Sequence, residues 1–298
     1  MPKDAQLGAI LTAMVTPFDS RGELDDDATR RLARHLVEHG SDGLVVSGTT
    51  GESSTLSDEE KLHLLDVVLD EVGGDATVIA GTGSNDTRHS AHLTEQASER
   101  GADAVLVVTP YYNKPPRAGL LAHFRAVAES TDKPMMLYNI PSRCVINLEA
   151  DLIAELAGIG NIVAVKQANS DLDQARRIVS DAEIALYAGD DNLLRPFAEI
   201  GGAGGVCVTS HLFGEQMKEM YEAARAGDAE RAKQIDGELQ DAYETLFMTV
   251  GTITTKAALD LIGVGAGGVR LPLVEASDQE RAAVQALLER HGLVASAA

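Results

Sequence analysis

The chain has 298 residues, of which 44% are hydrophobic and 24% are charged, and this composition predicts one large folded domain or one domain with an appendage. Its formal net charge of −21 argues against nucleic-acid binding, because contacts to phosphate groups require a basic surface. The sequence has neither an apolar segment long enough to span a membrane nor the apolar region of a signal peptide, so we expect a cytoplasmic protein.

Short apolar runs rich in β-branched residues recur along the first two thirds of the chain and predict eight strands. Amphipathic stretches, such as 58–71 and 87–100, separate the runs and predict helices. Eight consecutive βα units favour a closed (β/α)8 TIM barrel. An open doubly wound sheet is the alternative, but no GxGxxG motif follows the first strand. The predicted strands are 9–16, 43–47, 77–80, 104–109, 134–138, 162–165, 184–188 and 205–209.

After residue 210 the alternation ends, and only helical patterns follow. We therefore expect two parts: a barrel over 1–225 that carries the active site, and a C-terminal helical domain over 226–298 that packs on the barrel or on a partner subunit. The predicted tail helices are 215–226, 229–249, 254–262 and 279–289, with a loop at 263–272.

Polar residues that follow the predicted strands are the candidates for an active site, because the active sites of such barrels lie at the carboxyl ends of the strands. Hydroxyl groups predominate among them, together with one amine and one guanidinium. These residues are Thr16, Thr49, Thr50, Thr82, Tyr111, Tyr112, Asn113, Tyr138, Arg143, Lys166, Gly189, Asp190 and Asp191.

Lys166 directly follows the apolar run 162–165, which indicates a strand buried on both faces. A lysine is rarely buried without a reason, and burial beside apolar side chains favours the neutral amine. A neutral amine can attack a carbonyl carbon to form a Schiff base, and the neighbouring carbon can then react as an enamine. The alternative is a lysine with a buried stem whose ammonium group reaches solvent at the strand end.

Schiff-base chemistry also needs a proton shuttle and a group that binds the substrate. Tyr138 ends the neighbouring strand and can pass protons through Thr49 to Tyr112 or to water. The planar guanidinium of Arg143 matches a carboxylate, and the turn around Thr50 can present backbone N–H groups to an anion. The structural alternatives are a core tyrosine, a surface arginine and a simple glycine–threonine turn.

Neither a metal nor a cofactor is expected. Cys144 and Cys207 form no CxxC pair and are predicted to be buried thiols. His89 and His92 have a spacing of three residues, but neither a nearby cysteine nor an HExxH pattern supports a metal site.

Four segments resemble the dihydrodipicolinate synthase and N-acetylneuraminate lyase superfamily: GTTGE at 48–52, VTPYYNKP at 108–115, YNIPSR at 138–143 and the strand that ends in Lys166. GDD at 189–191 and RLPL at 270–273 extend the resemblance over the whole chain. The pair TTGE and YNIPSR is most similar to the synthase branch. The resemblance implies a lyase that condenses pyruvate with L-aspartate-4-semialdehyde in diaminopimelate and lysine biosynthesis.

The resemblance also implies catalytic roles. Lys166 would form the Schiff base with pyruvate, and Tyr138 would be the general acid and base, relaying protons through Thr49 and Tyr112. Tyr112 would reach in from the neighbouring subunit of a tight dimer. The family implies a homotetramer built as a dimer of dimers.

Four substrate-binding positions follow from the same resemblance. Thr50 and the backbone at Val206 would hold the pyruvate carboxylate and the imine. Arg143 would bind the carboxylate of the semialdehyde, and Gly189 is a further substrate-binding position.

The chain departs from the family pattern at Cys144, Val145 and Gln167, which flank the site. These departures keep two alternatives open: an aldolase that cleaves N-acetylneuraminate or a 2-keto-3-deoxy sugar acid, and a non-catalytic homologue that binds a keto acid. Arg143 favours the synthase over the aldolase. The presence of Lys166 argues against the non-catalytic homologue.

Asp58, Lys61 and His89 stand where lysine-inhibited members of the family carry a different polar set, although Asn85 is kept. The resemblance therefore implies that feedback inhibition by lysine is weak or absent.

Overall fold

The computed structural model describes residues 7–295, which fold into a closed barrel of eight parallel strands surrounded by helices. Each strand pairs with the next, and the eighth closes the barrel on the first. The predicted (β/α)8 barrel is thereby confirmed. The strands are β1 (Ile10–Ala13), β2 (Gly43–Val46), β3 (Thr77–Gly81), β4 (Ala104–Val108), β5 (Met135–Asn139), β6 (Ile162–Gln167), β7 (Ala185–Ala188) and β8 (Gly204–Cys207).

The helices follow the predicted order, and several begin at a side chain that accepts hydrogen bonds from the free N–H groups of the first turn. Asp25 and Asp86 do so, and Ser57 and Glu60 form a capping box. The helices are α1 (Asp26–Glu38), α2 (Asp58–Val72), α3 (Thr87–Glu99), α4 (Arg117–Ala128), α5 (Pro141–Cys144), α6 (Ala150–Ala157), α7 (Leu172–Asp181), α8 (Leu194–Glu199), α9 (Ser210–Ala226), α10 (Ala229–Leu246), α11 (Gly251–Leu261) and α12 (Asp278–Arg290).

The sixth strand is longer than predicted, because Lys166 and Gln167 lie inside β6 rather than after it. Backbone pairing continues through the polar residues: Lys166 is in register with Tyr138 on β5 and with Tyr187 on β7. The apolar pattern ends at residue 165, but strand pairing continues for two more residues, because polar side chains are accommodated at the carboxyl ends of the strands.

Side chains alternate between the inside of the barrel and the layer of helices, as parallel strands require. Tyr138, Ala164, Tyr187 and Val206 belong to the apolar cluster that fills the barrel interior. Lys166 is two residues beyond Ala164 on the same strand, so its side chain also points into the barrel. The site therefore lies on top of a packed interior.

The C-terminal helices pack on the barrel, and their apolar side chains join those of the surrounding barrel helices in one core cluster, including Ile235, Leu246 and Leu287. Helix α9 begins five residues earlier than predicted, and Phe213 interrupts its first turns with non-helical φ and ψ of −129° and 30°. The division into two domains near residue 225 stays a prediction. Within residues 7–295, no helix is both long and apolar enough to cross a membrane.

Candidate active site

Lys166 and Tyr138 form the centre of the site. The Lys166 side chain is nearly buried, with 5% of its residue surface exposed, and its Nζ lies 4.3 Å from the centre of the Tyr138 ring. The two residues are direct neighbours in the β5–β6 ladder, so the sheet itself fixes their relative position. An amine and a phenol are thus held together at the carboxyl ends of the strands, as the sequence predicted.

A cleft of about 1060 Å³ contains the other polar groups that were predicted to act together. Thr49, Tyr112 and Arg143 line this cleft, with Gly81 and Val108 between them. Thr49 and Arg143 are exposed to solvent in the isolated chain. Tyr112 is 88% exposed in the isolated chain, so the predicted relay through it stays a prediction.

The turn that carries Thr49 and Thr50 has a strained backbone. Ser47 and Glu52, which bracket it, have left-handed φ values of 54° and 55°. The Thr16 hydroxyl donates a 2.6 Å hydrogen bond to the Gly51 carbonyl and holds the turn from the side of β1. The strain marks the turn as a shaped part of the site, although the role of Thr50 in binding stays a prediction.

Gly189 directly follows β7, as the sequence predicted, and Val206 lies within β8. The Gly189 N–H donates to the Gln167 carbonyl at 2.9 Å, and a Cβ atom at Gly189 would lie 2.6 Å from that of Ala168. Only glycine fits there. Val206 is 1% exposed and forms part of the interior wall. Their contacts with substrate stay predictions.

Two carboxylates behind the site had no role assigned from the sequence. Burial raises the pKa of the Asp190 carboxyl, and the nearby charges of Lys166 and Arg143 oppose that shift. Burial also raises the pKa of Asp191, whose carboxylate accepts hydrogen bonds from the backbone N–H groups of Val208 and Thr209. The signal in the sequence was the GDD motif at the end of the seventh strand.

An amide network beside the site, on the helix-facing side of β5 and β6, was also missed. Asn139 donates to Gln167 Oε1 at 2.9 Å and to Asn147 Oδ1 at 2.8 Å, and its own Oδ1 accepts from the Leu148 N–H. The network ties β5 and β6 to the segment that follows α5, which carries Arg143. Gln167, which departs from the family pattern, therefore supports the site with a neutral side chain that is fully buried.

The two cysteines are buried free thiols, as predicted. Burial raises the pKa of Cys144 to about 11, so this thiol is protonated at neutral pH and is a poor nucleophile. Across the described residues 7–295, no group of three or more histidine, cysteine, aspartate or glutamate side chains is arranged to hold a metal ion.

A family model and the curated relatives of this chain point to the same family. The model of the dihydrodipicolinate synthetase family matches residues 6–291. The 4-hydroxy-tetrahydrodipicolinate synthase of Desulforudis audaxviator is 51% identical over 290 residues, covering 96% of this chain and 98% of the relative.

Two solved structures agree with this match. Dihydrodipicolinate synthase of Bacillus anthracis has a TM-score of 0.93 at 42% identity and covers 95% of this chain and 98% of its own. DHDPS from Cyanidioschyzon merolae, solved with lysine bound, has a TM-score of 0.94 at 42% identity and covers 97% of this chain and 99% of its own. By sequence and by structure, the chain belongs to the dihydrodipicolinate synthetase family.

Proposed function

We propose that the chain catalyses the reaction for which its relatives are named, the condensation of pyruvate with L-aspartate-4-semialdehyde to 4-hydroxy-tetrahydrodipicolinate in lysine and diaminopimelate biosynthesis. The observation that carries the proposal is the nearly buried Lys166 amine, whose Nζ lies 4.3 Å from the centre of the Tyr138 ring at the carboxyl ends of the strands. No metal and no cofactor enters the proposed chemistry.

The first half of the reaction uses Lys166 and Tyr138. The Lys166 amine attacks the ketone carbon of pyruvate, and loss of one water leaves an imine. Tyr138 supplies and removes the protons of these steps. Loss of a proton from the pyruvate methyl group then gives an enamine, which is the carbon nucleophile.

The second half of the reaction requires a group that binds the carboxylate of the semialdehyde, and it ends when the Lys166 amine is released from the imine. Arg143 binds the carboxylate of the semialdehyde and holds its aldehyde towards the enamine. After the carbon–carbon bond has formed, the substrate amine attacks the imine carbon, closes the ring and releases Lys166. One water is lost overall, and neither oxidation nor reduction occurs.

The relay and the oligomer belong to the same proposal. Tyr111, Tyr112 and Val145 are exposed large side chains around the cleft, at 40%, 88% and 66% exposure. Such exposed side chains favour a partner subunit that covers them and receives Tyr112, in a dimer that pairs into a tetramer. Pyruvate and the semialdehyde are the proposed partners, with neither nucleic acid nor membrane, in the cytoplasm.

A coupled assay tests the reaction. Purified protein is given pyruvate and L-aspartate-4-semialdehyde together with a reductase that consumes the cyclic product. We expect turnover that Lys166→Arg abolishes. Cleavage of N-acetylneuraminate or of a 2-keto-3-deoxy sugar acid, without turnover of the semialdehyde, would contradict the proposal and identify a sugar-acid aldolase.

A further inference from the structure

The turn 48–52 is held in place by the C-terminal segment 251–270, and the described mechanism does not use this connection. The last residue of the turn, Glu52, has a left-handed backbone and directs its side chain away from the cleft into the protein. There it is 3% exposed. A carboxylate so deeply buried needs partners for its charge.

The partners of Glu52 come from residues more than 200 positions away. Oε1 accepts from Nζ of Lys256 on α11 at 2.8 Å, and Oε2 accepts from the backbone N–H of Arg270 at 2.9 Å. The side chains of the ion pair are 2% and 1% exposed. Both oxygens of the carboxylate are therefore bound by the C-terminal segment.

The ammonium group of Lys256 also has further partners besides Glu52. Its Nζ donates to the Gly268 carbonyl at 2.6 Å and lies 4.3 Å from the centre of the Phe18 ring. Burial lowers the pKa of Lys256 to about 8, and the charge of Glu52 opposes that shift. Because replacing a buried ion pair by apolar side chains is often neutral for net stability, the presence of this pair calls for a reason other than stability.

Two further hydrogen bonds from the same segment reach the turn and its continuation. The Thr252 hydroxyl donates to the Thr50 carbonyl at 3.0 Å, and Arg270 Nη1 donates to the Thr55 carbonyl at 3.0 Å. The turn is thus held at Thr50, Glu52 and Thr55. A backbone with two left-handed, non-glycine residues persists only when its surroundings impose it.

We propose that Glu52 and Lys256 are positioning residues for pyruvate: their ion pair fixes the turn 48–52 so that the Thr49 hydroxyl and the Thr50 backbone face the Schiff base. The inference rests on the proposed function, because it takes this turn as the pyruvate-binding edge of the site. Neither Glu52 nor Lys256 lines the cleft, and hydrogen bonds connect the C-terminal segment to the site through the turn.

The rate of trapping pyruvate with borohydride, measured against pyruvate concentration in the full-length protein, separates positioning from stability. Lys256→Met removes the charge and keeps the side-chain length, and we expect the half-saturating pyruvate concentration to rise about tenfold. The KM for the semialdehyde, which depends on Arg143, should stay within about twofold in the coupled assay.

Arg281→Met is the matched control, because it breaks the exposed ion pair of Arg281 with Asp260 in the same C-terminal region without touching the turn. This control variant should change neither the half-saturating pyruvate concentration nor the KM for the semialdehyde. Thr252→Val removes only one hydroxyl bond to the turn, and we expect an increase of about threefold in the half-saturating pyruvate concentration. If Lys256→Met does not fold, Thr252→Val still tests whether the C-terminal segment positions the turn, because an unchanged half-saturating pyruvate concentration would contradict that.

Wild-type protein that traps no pyruvate would overturn the proposed function itself. Wild-type trapping together with an unchanged half-saturating pyruvate concentration in the folded variants would overturn only the positioning role. A lower unfolding temperature with unchanged pyruvate and semialdehyde constants would assign Glu52 and Lys256 to stability alone.

Discussion

Lys166 owes its environment to its two neighbouring strands. Tyr138 and Tyr187 occupy the paired positions on either side, and Ala164 lies below it on the same strand. The alternation of the strand turns the amine into the barrel, where it is nearly buried. A lysine one position earlier or later would face the helices instead, where no substrate could reach it.

The proposed role of Arg143 is to bind only the second substrate, and a single substitution tests this role. We expect Arg143→Ala to lower kcat/KM for the semialdehyde by about a hundredfold, because a charge-assisted, bidentate contact to its carboxylate is lost. The pyruvate adduct on Lys166 should form as in the wild type. Steady-state kinetics and adduct trapping measure the two effects separately.

Arg117→Ala is the control for Arg143, since Arg117 is also exposed but pairs with Asp151 and Glu155 on the outer helices. It should change neither measurement. If Arg143→Ala abolished the pyruvate adduct as well, its assignment to the second substrate would be wrong.

At the scale of elements, the sequence predicted the eight strands because parallel strands covered on both faces form continuous apolar runs. It also predicted that Lys166 and Tyr138 lie together, because neighbouring strands end at the same rim. The predicted end of the sixth strand was wrong, because Gln167 is polar and yet lies inside β6. The contact of Glu52 with Lys256 was not predicted, because the two residues are 204 positions apart and no local sequence pattern connects them.

His211 is buried at the junction of β1, β8 and α9, and we expect its protonation to lower the stability of the protein in acid. The His211 Nε2 accepts from the Val15 N–H at 3.1 Å, and its Nδ1 donates to the Val208 carbonyl at 2.7 Å, so the ring is neutral. Burial lowers the pKa of His211 from 6.5 to about 4. Between these values the unfolded chain binds the proton and the folded chain does not, so the free energy of unfolding falls as pH decreases from about 6.5 to about 4.

Urea unfolding at several pH values measures this effect. The wild type should lose on the order of 3 kcal/mol through His211 by pH 4, and His211→Gln should lack that part of the pH dependence. His63→Gln, at an exposed histidine paired with Asp26, should behave like the wild type. An identical acid profile for wild type and His211→Gln would contradict the assignment.

Asp58 and Lys61 on α2 and His89 on α3 line the cleft, at the positions where the family resemblance places the polar set of lysine-inhibited members. Asp58 accepts from His89 Nε2 at 2.8 Å and lies 3.4 Å from the Lys61 ammonium, so its charge is already paired. A lysine ligand would meet the cation of Lys61 where it needs an anion. We expect weak or absent inhibition by lysine in the coupled assay, and an inhibition constant in the sub-millimolar range would refute this.

At the scale of the whole molecule, part of the acidic surface has a local cause. Asp25, Asp26 and Asp27 stand at the start of α1, and Asp58, Glu59 and Glu60 stand at the start of α2. Carboxylates there interact favourably with the free N–H groups and the dipole of the helix. Such clusters account for some of the net charge of −21 without a basic partner, and the remaining charge favours solubility.

The whole chain contributes to one site: the barrel interior supplies Lys166 and Tyr138, the rim supplies Arg143, and the C-terminal segment holds the turn with Thr49. The most direct test is incubation with pyruvate, reduction with borohydride and peptide mapping by mass spectrometry. We expect one reduced pyruvyl adduct, on Lys166, that is absent from Lys166→Arg. No adduct, or an adduct on the buried amine of Lys256, would contradict the proposed function.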